Sequence, residues 1–200
     1  MEMNKTNLYI YGAAGHAKMI ADMAEDSAWE IAGAFDKNLL RETLLDQYPV
    51  HMGLAAVDFE ADAQFVIGIV NNEYRKRIAE QELQGRSFAT LQDKTVSLSK
   101  YAEVEEGSVM LPFAVIAADV QVGRHCIIGT HASIDHDAVI EDYVHISAGA
   151  RIGGEVLIGE GTQIGTAVSV APGVNIGKWC HIEAGAVLTE DVMDGVTVQA

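Results

Sequence analysis

A histidine followed directly by an aspartate, His136-Asp137, is the pair in this sequence best suited to acid–base chemistry. An imidazole titrates near neutral pH, so its neutral form can take a proton from an attacking amine or hydroxyl. A neighbouring carboxylate orients the ring and makes it more basic. Asp135 is the rival partner. The histidine follows Ile134 by two residues, which predicts a turn or an outer edge, where an ordinary surface histidine is the alternative interpretation.

A second candidate site is the turn Gly12-Ala13-Ala14-Gly15, which separates a predicted strand from a predicted helix. Backbone N–H groups and the helix dipole can hold a phosphate at such a turn. Asp36 lies 21 residues after Gly15, a spacing that suits hydrogen bonding to a ribose hydroxyl. Ala14 replaces the middle glycine of the full dinucleotide fingerprint. The turn therefore indicates either a nucleotide-type ligand or simple α/β packing, and it disfavours NAD.

Two differently built parts of the chain must position these residues, and the second shows a strict period of six. Such a period fits neither a helix nor an uninterrupted strand, but it is typical of hexapeptide-repeat β-helices. The sixteen aliphatic residues at this spacing are Leu98, Val104, Met110, Ile116, Val122, Ile128, Ile134, Ile140, Ile146, Ile152, Ile158, Ile164, Val170, Ile176, Ile182 and Leu188. We expect them to point inward and to stack from coil to coil.

The other positions of the hexad agree with this interpretation. The residue four positions after each aliphatic is small or β-branched. Glycine recurs at the position directly after the aliphatic. The pattern resembles the left-handed parallel β-helix, a triangular prism with three hexads in each coil, which implies about five coils. Each buried aliphatic contributes about 1.5–3 kcal/mol, and each coil rests on its neighbours.

The first part of the chain alternates between strand and helix patterns. Strands are predicted over 7–11, 30–36 and 63–70, and helices over 17–25 and 73–83. This alternation predicts a small parallel sheet covered by helices. We therefore expect an α/β N-terminal Rossmann-like domain over residues 1–92, followed by a left-handed β-helix domain over residues 93–200.

Composition limits the classes of partner. The formal charge of −16 argues against nucleic acid and against an anionic membrane surface. No apolar run is long enough to span a membrane, and the N-terminus lacks a signal-peptide pattern. Cys126 and Cys180 both fall on small inward positions, three coils apart, which predicts buried thiols in a reducing cytoplasm. The histidines and acids lack metal-ligand spacing, so no metal is expected.

Tyr9-Ile10-Tyr11-Gly12-Ala13-Ala14-Gly15-His16, Asn71-Asn72-Glu73 and Ile134-Asp135-His136-Asp137, followed by the repeats, resemble one family over nearly the whole chain. It is the family of bacterial sugar acyltransferases that includes the UDP-4-amino-sugar N-acetyltransferases of bacillosamine synthesis and the sialic acid O-acetyltransferases. The resemblance implies a homotrimer with active sites at subunit interfaces. It also implies that the α/β domain binds a UDP-sugar and that the β-helix binds acetyl-CoA.

The resemblance assigns roles residue by residue. The catalytic pair falls on His136 and Asp137, with the histidine as general base in a direct ternary complex. The implied nucleotide-sugar contacts are Ala14, Gly15, His16, Asp36, Lys37 and Val70, the last at a position where close relatives carry glycine. The implied acetyl-CoA contacts are His145, Thr166 and Ala184.

Some of these expectations have an independent geometric basis, and others leave alternatives open. Thr166 and Ala184 are eighteen residues apart, so they stack in one column along which an extended pantetheine can lie. Gly154 follows His136 by one coil and predicts open space above the base, whereas His125, His131 and His181 are expected on the surface. The alternatives to N-acetylation are O-acetylation of a sialic acid or related sugar hydroxyl, and a non-catalytic nucleotide-sugar-binding trimer.

Overall fold

The computed structural model describes residues 6–25, 29–37 and 42–200. The chain divides into two compact units, Met1–Leu91 and Gln92–Ala200, and each is built on a different principle. None of the described helices combines the length and the apolar character needed to cross a bilayer.

The first unit is built on a six-stranded sheet. Its strands are β1 (Thr6–Tyr11), β2 (Trp29–Phe35), β3 (Thr43–Leu44), β4 (Tyr48–His51), β5 (Gln64–Ile67) and β6 (Ser87–Phe88). Their spatial order is β3-β4-β2-β1-β5-β6, and all neighbours are parallel except β3 and β4. The carboxyl ends of β1, β2 and β5 therefore lie along one edge, where parallel α/β sheets bind ligands.

Three helical segments accompany this sheet. They are α1 (Gly15–Glu25), a short 3₁₀ turn (Leu54–Ala56) and α2 (Asn72–Arg77), which continues into a π-helical turn (Ile78–Glu82). Helix α1 forms because its apolar residues recur on one face, which is buried at Ala17, Ile20, Ala21, Met23 and Ala24. The Asn71 side chain caps α2 by accepting a hydrogen bond from the Tyr74 N–H at 2.8 Å.

The π turn corrects the prediction of one uninterrupted helix over 73–83. In the structure the Leu83 N–H donates to the Ile78 carbonyl, five residues back, at 2.9 Å. Residues five apart on an α-helix lie about 140° apart around its axis. Both Ile78 and Leu83 are fully buried, and the wider turn brings them to the same side of the helix.

Two further features of this unit were not predicted. The antiparallel pair of β3 with β4 turns through Leu45 and Asp46, both with positive φ, and its strands are too short to show a periodic pattern. Strand β5 also ends at Ile67, earlier than predicted, so Val70 lies in the following loop.

The second unit is a left-handed parallel β-helix. Three sheets of seven, six and five parallel strands form it within the part of the chain that runs from 91 to 198. Its two-residue strands are Leu91–Gln92, Ser97–Leu98, Glu103–Val104, Val109–Met110, Val115–Ile116, Gln121–Val122, Ile127–Ile128, Ser133–Ile134, Val139–Ile140, His145–Ile146, Arg151–Ile152, Leu157–Ile158, Gln163–Ile164, Ser169–Val170, Asn175–Ile176, His181–Ile182, Val187–Leu188 and Thr197–Val198. The strands from Ser97 to Leu188 coincide with the sixteen predicted hexads.

The register confirms the predicted core. The strands from Ser97 to Leu188 pair with one another at a spacing of eighteen residues, as Ile134 pairs with both Ile116 and Ile152. The last coil is shorter, because Ile182 pairs with Val198, sixteen residues away. The inward aliphatics from Met110 to Leu188 are all buried, and the small residues between them fill the corners of the same core. Cys126 and Cys180 are buried free thiols at two of these corner positions.

Candidate active site

A repeated backbone geometry positions the residues at the prism corners. The residue three after each inward aliphatic has a positive φ, between 54° and 82°, in every hexad from Gly107 to Gly185. This left-handed conformation is unusual for residues other than glycine, although aspartate and asparagine tolerate it better than most. Asp137 occupies such a position with φ 58°. The residue before it, His136, is therefore presented at the outside of a corner.

The predicted catalytic pair is in direct contact. The Nδ1 atom of His136 lies 2.7 Å from Oδ2 of Asp137, and the side chains of both residues are more than half exposed. The His136 backbone N–H donates to the Asp135 carboxylate at 2.9 Å. Both carboxylates that were predicted as possible partners therefore contact His136. Asp137 contacts its ring, and Asp135 contacts its backbone N–H.

The surroundings of His136 make it more basic. The hydrogen bond to Asp137 is the largest cause that raises the pKa of His136, and the charge of Asp135 adds to it. Glu155 acts in the same direction. Because Nδ1 faces Asp137, the neutral ring is expected to carry its proton there and to expose the lone pair at Nε2.

Gly154 lies against the His136 ring and not beside an empty space as predicted. A Cβ atom at this position would lie 2.8 Å from Cε1 and 2.9 Å from Nε2 of His136. The imidazole therefore occupies the space that the missing side chain leaves open. The absence of a side chain at Gly154 lets the ring lie flat against the next coil.

A shallow groove runs beside His136 and Asp137 on the outer face of one sheet. It has a volume of about 430 Å³ and is lined by Val115, Ala117, Ser133, Ile134, Asp135, Arg151, Ile152, Gly153, Ser169 and Val170. Asp135 belongs both to this groove and to the surroundings of His136. A ligand in the groove would therefore lie next to His136, the predicted general base.

The three predicted cofactor residues follow a different sheet of the prism. Thr166 and Ala184 are exposed at equivalent corners of successive coils, linked by the Gly185 N–H to the Thr166 carbonyl at 2.9 Å. Half-buried His145 lies on the strand that pairs with Gln163–Ile164 of that sheet. His136 instead follows the sheet that contains Ser133–Ile134. One copy of the chain therefore does not bring the base and these three residues to the same corner.

The remaining prism histidines divide into two kinds. His125 is buried and stacks on Tyr143 with the ring centroids 5.3 Å apart, so its expected surface position is wrong. Gly107 leaves room for its ring, because a Cβ there would lie 2.2 Å from Nδ1 of His125. His131, which stacks on Phe113, and His181 are exposed as expected.

The predicted nucleotide turn of the first unit is held by Asp36. The Ala13 N–H donates to Oδ2 of this carboxylate at 3.1 Å, and the Gly12 N–H donates to the Phe35 carbonyl. Gly12 has a φ of 113°, a conformation that glycine adopts readily. Asp36 therefore fixes the turn in addition to any contact it makes with a ligand. Ala14 and Gly15 are exposed on this turn.

His16 lies in the first turn of α1, where the charge of Arg75 from α2 acts on it. The Nε2 atom of His16 is buried and has no hydrogen-bond partner within the described residues. Burial, followed by the charge of Arg75, lowers the pKa of His16 to about 4. Its ring is therefore neutral at physiological pH and presents a polar atom whose hydrogen bond a bound ligand can supply.

Arg75 is a buried residue that the sequence did not single out. The residue is 1% exposed, and its guanidinium donates to the carbonyls of Ile69 and Val70, at 3.2 and 3.1 Å. The arginine thus ties down the loop after β5. Val70 is 48% exposed on this loop, at the position predicted to contact the ligand.

Lys37 is held by Glu82, a second residue that the sequence did not single out. The Lys37 Nζ atom lies 2.7 Å from Oε1 of Glu82, and the Tyr11 hydroxyl donates to Oε2 of the same carboxylate. Glu82 falls within the helix predicted over 73–83, but it lies on the π turn, which no sequence pattern indicated.

Family models match both units of the chain. Residues 7–81 match the PglD N-terminal domain, and residues 155–190 match the bacterial transferase hexapeptide (six repeats). The acetyltransferase domain of PglB from Neisseria gonorrhoeae FA1090, in complex with acetyl coenzyme A, superimposes with a TM-score of 0.90. It shares 28% identity, and the match covers 98% of this chain and 97% of that one. In both units the chain is thus similar to bacterial sugar acyltransferases with a left-handed β-helix.

Two further proteins similar to this chain carry a GDP-linked sugar in their name or in their structure. PerB from Caulobacter crescentus, in complex with CoA and GDP-perosamine, has a TM-score of 0.87 and 25% identity, over 96% of this chain and 92% of that one. GDP-perosamine N-acetyltransferase from Escherichia coli O157:H7 is 29% identical over 88 residues. That match spans 44% of this chain and 40% of the curated relative.

Among residues 6–25, 29–37 and 42–200, no group of three or more histidine, cysteine, aspartate or glutamate side chains is arranged to hold a metal ion.

Proposed function

We propose that this protein transfers the acetyl group of acetyl-CoA to the amino group of a nucleotide-linked amino-deoxy sugar. The specific acceptor that we propose is a UDP-linked 4-amino sugar of the bacillosamine type. The observation that carries this proposal is the contact between His136 and Asp137, 2.7 Å apart on an open corner of a β-helix. The PglB acetyltransferase domain, which has acetyl coenzyme A bound, supports the choice of donor.

The proposed reaction is a direct transfer within a ternary complex. The neutral amine attacks the thioester carbonyl carbon, and Nε2 of His136 takes the proton that the nitrogen must lose as the C–N bond forms. The C–S bond breaks, and the sulfur of CoA leaves with the electron pair and recovers a proton from the imidazolium. Asp137 stabilises that imidazolium through the Nδ1 hydrogen bond. No covalent acyl-enzyme is needed in this sequence of steps.

The charges around His136 favour an amine acceptor over a sialic acid. Asp135, Asp137 and Glu155 all raise the pKa of the histidine, so the potential at the ring is negative. A sugar ammonium is attracted to such a place, whereas the carboxylate of a sialic acid is repelled. The ammonium must then lose its extra proton before it attacks, and that loss is easier as the pH rises.

We propose that the active enzyme is a homotrimer whose active sites lie between copies. The residues assigned to acetyl-CoA, His145, Thr166 and Ala184, follow a different sheet from His136 within one copy. A neighbouring copy can supply the missing half of each site. The positions equivalent to His131 in the next three coils carry the small residues Gly149, Ala167 and Gly185. These small residues leave room for a pantetheine chain along the prism.

We assign the nucleotide sugar to the carboxyl edge of the first unit. Ala14, Gly15 and His16 are proposed to contact it from the turn, Asp36 and Lys37 from the end of β2, and Val70 from the loop after β5. The buried Nε2 atom of His16 supports this assignment, because it calls for a hydrogen-bond partner.

We further propose that the enzyme works in the cytoplasm, where acetyl-CoA and nucleotide sugars are available. The support within the chain is the pair of buried free thiols, Cys126 and Cys180, which a reducing compartment preserves.

A mass-spectrometric assay tests this function. The protein is incubated with acetyl-CoA and, separately, with UDP-linked and GDP-linked 4-amino sugars and with a sialic acid. The proposal predicts a gain of one acetyl group on a UDP-amino sugar, with release of free CoA thiol. Acetylation of the GDP-linked sugar alone would overturn the choice of nucleotide, and acetylation of the sialic acid alone would overturn the choice of acceptor. A monomeric mass in light scattering at working concentration would contradict the trimer.

A further inference from the structure

The carboxyl edge of the first sheet carries a hydrogen-bonded chain of three side chains. Tyr11 ends β1, Lys37 follows β2 by two residues, and Glu82 joins them from the π turn. One carboxylate oxygen of Glu82 accepts from the Tyr11 hydroxyl, and the other lies 2.7 Å from the Lys37 ammonium. A carboxylate from a distant part of the chain thus connects the ends of two neighbouring strands.

The protonation of this chain is well defined. Burial, followed by the hydrogen bond to Glu82, raises the pKa of Tyr11, so its hydroxyl stays protonated and donates. Burial alone would raise the pKa of Glu82, but the hydrogen bonds from Lys37 and Tyr11 outweigh it and the pKa is lowered. Glu82 is therefore an anion that holds a cation.

The restraint matters because Lys37 would otherwise be mobile. Its side chain is 51% exposed, and a lysine loses about 2 kcal/mol of rotamer entropy when a ligand must fix it. Glu82 is only 21% exposed, and the flanking residues Ile78 and Leu83 are fully buried, so its own backbone is anchored. An ammonium has three protons, which leaves two for a second anion.

We infer that Glu82 is a positioning residue, which holds the Lys37 ammonium beside the Gly12–Gly15 turn so that it meets the phosphates of a nucleoside diphosphate. This inference rests on the proposed function, since it assumes that the nucleotide sugar binds at this edge. Its chemistry agrees with the overall charge of −16, because an anionic ligand then needs a local cation held in place. Glu82 makes both contacts from the π turn.

Calorimetric titration of the full chain with UDP, and separately with GDP, tests the inference without any acetyl transfer. Glu82→Gln keeps the size and a hydrogen bond to Tyr11 but removes the charge that holds Lys37. It should weaken binding of the nucleotide about tenfold, the value of one charge-assisted hydrogen bond. Acetyl-CoA affinity should not change. The matched control is Glu80→Gln on the same turn, whose carboxylate lies 3.9 Å from Lys76 and which should bind the nucleotide as the wild type does.

A double-mutant comparison separates positioning from a general structural effect. In a Lys37→Met background, Glu82→Gln should change nucleotide affinity less than twofold, because the residue it acts through is gone. An equal loss in both backgrounds would overturn the inference. So would tighter binding by Glu82→Gln, which would mean that Glu82 competes with the ligand for Lys37. Wild-type protein that binds neither UDP nor GDP would also overturn it, whereas the acetyl-transfer assay judges the proposed function separately.

Discussion

Nδ1 of His136 lies 2.7 Å from Oδ2 of Asp137, the next residue in the chain. Neighbouring side chains in a strand point to opposite faces, so this contact depends on the left-handed backbone at Asp137, with φ 58°. The prism imposes that conformation at the same position of hexad after hexad. The contact is therefore a product of the corner geometry, and the proposed base is oriented by a group that the fold places reliably.

Asp137→Asn tests what the charge of this partner contributes. Asparagine also tolerates the left-handed conformation, so the corner should keep its shape. Because the hydrogen bond to Asp137 is the largest cause that raises the pKa of His136, the substitution should lower that pKa. The pH at which kcat/KM rises should move downward, with a smaller loss of rate than removal of the histidine causes. An unchanged transition in the pH profile would show that Asp137 does not tune the base.

Gly154→Ala tests the position of the imidazole. The added Cβ would lie 2.8 Å from Cε1 of His136, so the exposed ring must move. A displacement of about 1 Å at a reacting group can cost roughly 10²-fold in rate. We expect a loss of kcat on this order, without a change in thermal midpoint. Gly173→Ala, at an open corner with φ 75°, is the contrasting variant, expected to lose stability and to keep the pH profile.

Gly15→Val tests the division of labour between the two units. A Cβ at Gly15 would meet no other atom within 4 Å, so the larger side chain should fold into free space on the turn. It should then obstruct a ligand there. We expect the apparent KM for the nucleotide sugar to rise and the affinity for acetyl-CoA to stay nearly unchanged, as measured by steady-state kinetics. A matched loss of both would argue against separate sites.

His16 should make the stability of the first unit depend on pH. Its folded pKa of about 4 lies below its unfolded value of 6.5, mainly because of burial and then because of Arg75. Between these values the unfolded chain binds the proton that the folded chain does not. Stability is therefore fully present above pH 6.5 and is lost as the pH falls toward 4, by up to about 3 kcal/mol.

Urea unfolding at several pH values, compared between wild type and His16→Gln, measures this contribution. The difference in unfolding free energy between the two proteins should shift in favour of the variant as the pH falls from 7 to 4. Parallel pH dependences in the two proteins would mean that His16 is not held neutral by its surroundings.

The sequence predicted the prism almost residue by residue, because one physical requirement repeats every six positions. Each inward aliphatic stacks on the aliphatic at the same position of the next coil. The period of six is therefore visible whatever residues occupy the outward positions. The corner conformation was not predictable in the same way. Phe113, Ala167 and Trp179 all adopt it, although none of these residue types favours positive φ. Tertiary closure of the coil overrides local preference there.

The residues of the candidate site also differ in how far the sequence could predict them. The contact between His136 and Asp137 could be predicted, because the two residues are adjacent and their types suit acid–base chemistry. Arg75 and Glu82 could not, since a buried arginine and a π turn depend on contacts between distant parts of the chain. The eighteen-residue period correctly placed Gly154 beside His136 in the next coil. The period could not predict the rotamer that brings the His136 ring against Gly154, because that rotamer follows from packing.

The most direct test of the account is the pH–rate profile of His136→Ala beside that of the wild type. If His136 is the general base, the substitution should lower kcat by roughly 10²–10⁴-fold and leave the binding of both substrates intact. The wild-type rate should rise with pH through a transition above 6.5, because the pKa of His136 is raised and only its neutral form accepts a proton. The variant should lose this transition and retain only the titration of the sugar amine. A His136→Ala protein that keeps the wild-type rate from pH 6 to 9 would contradict the account.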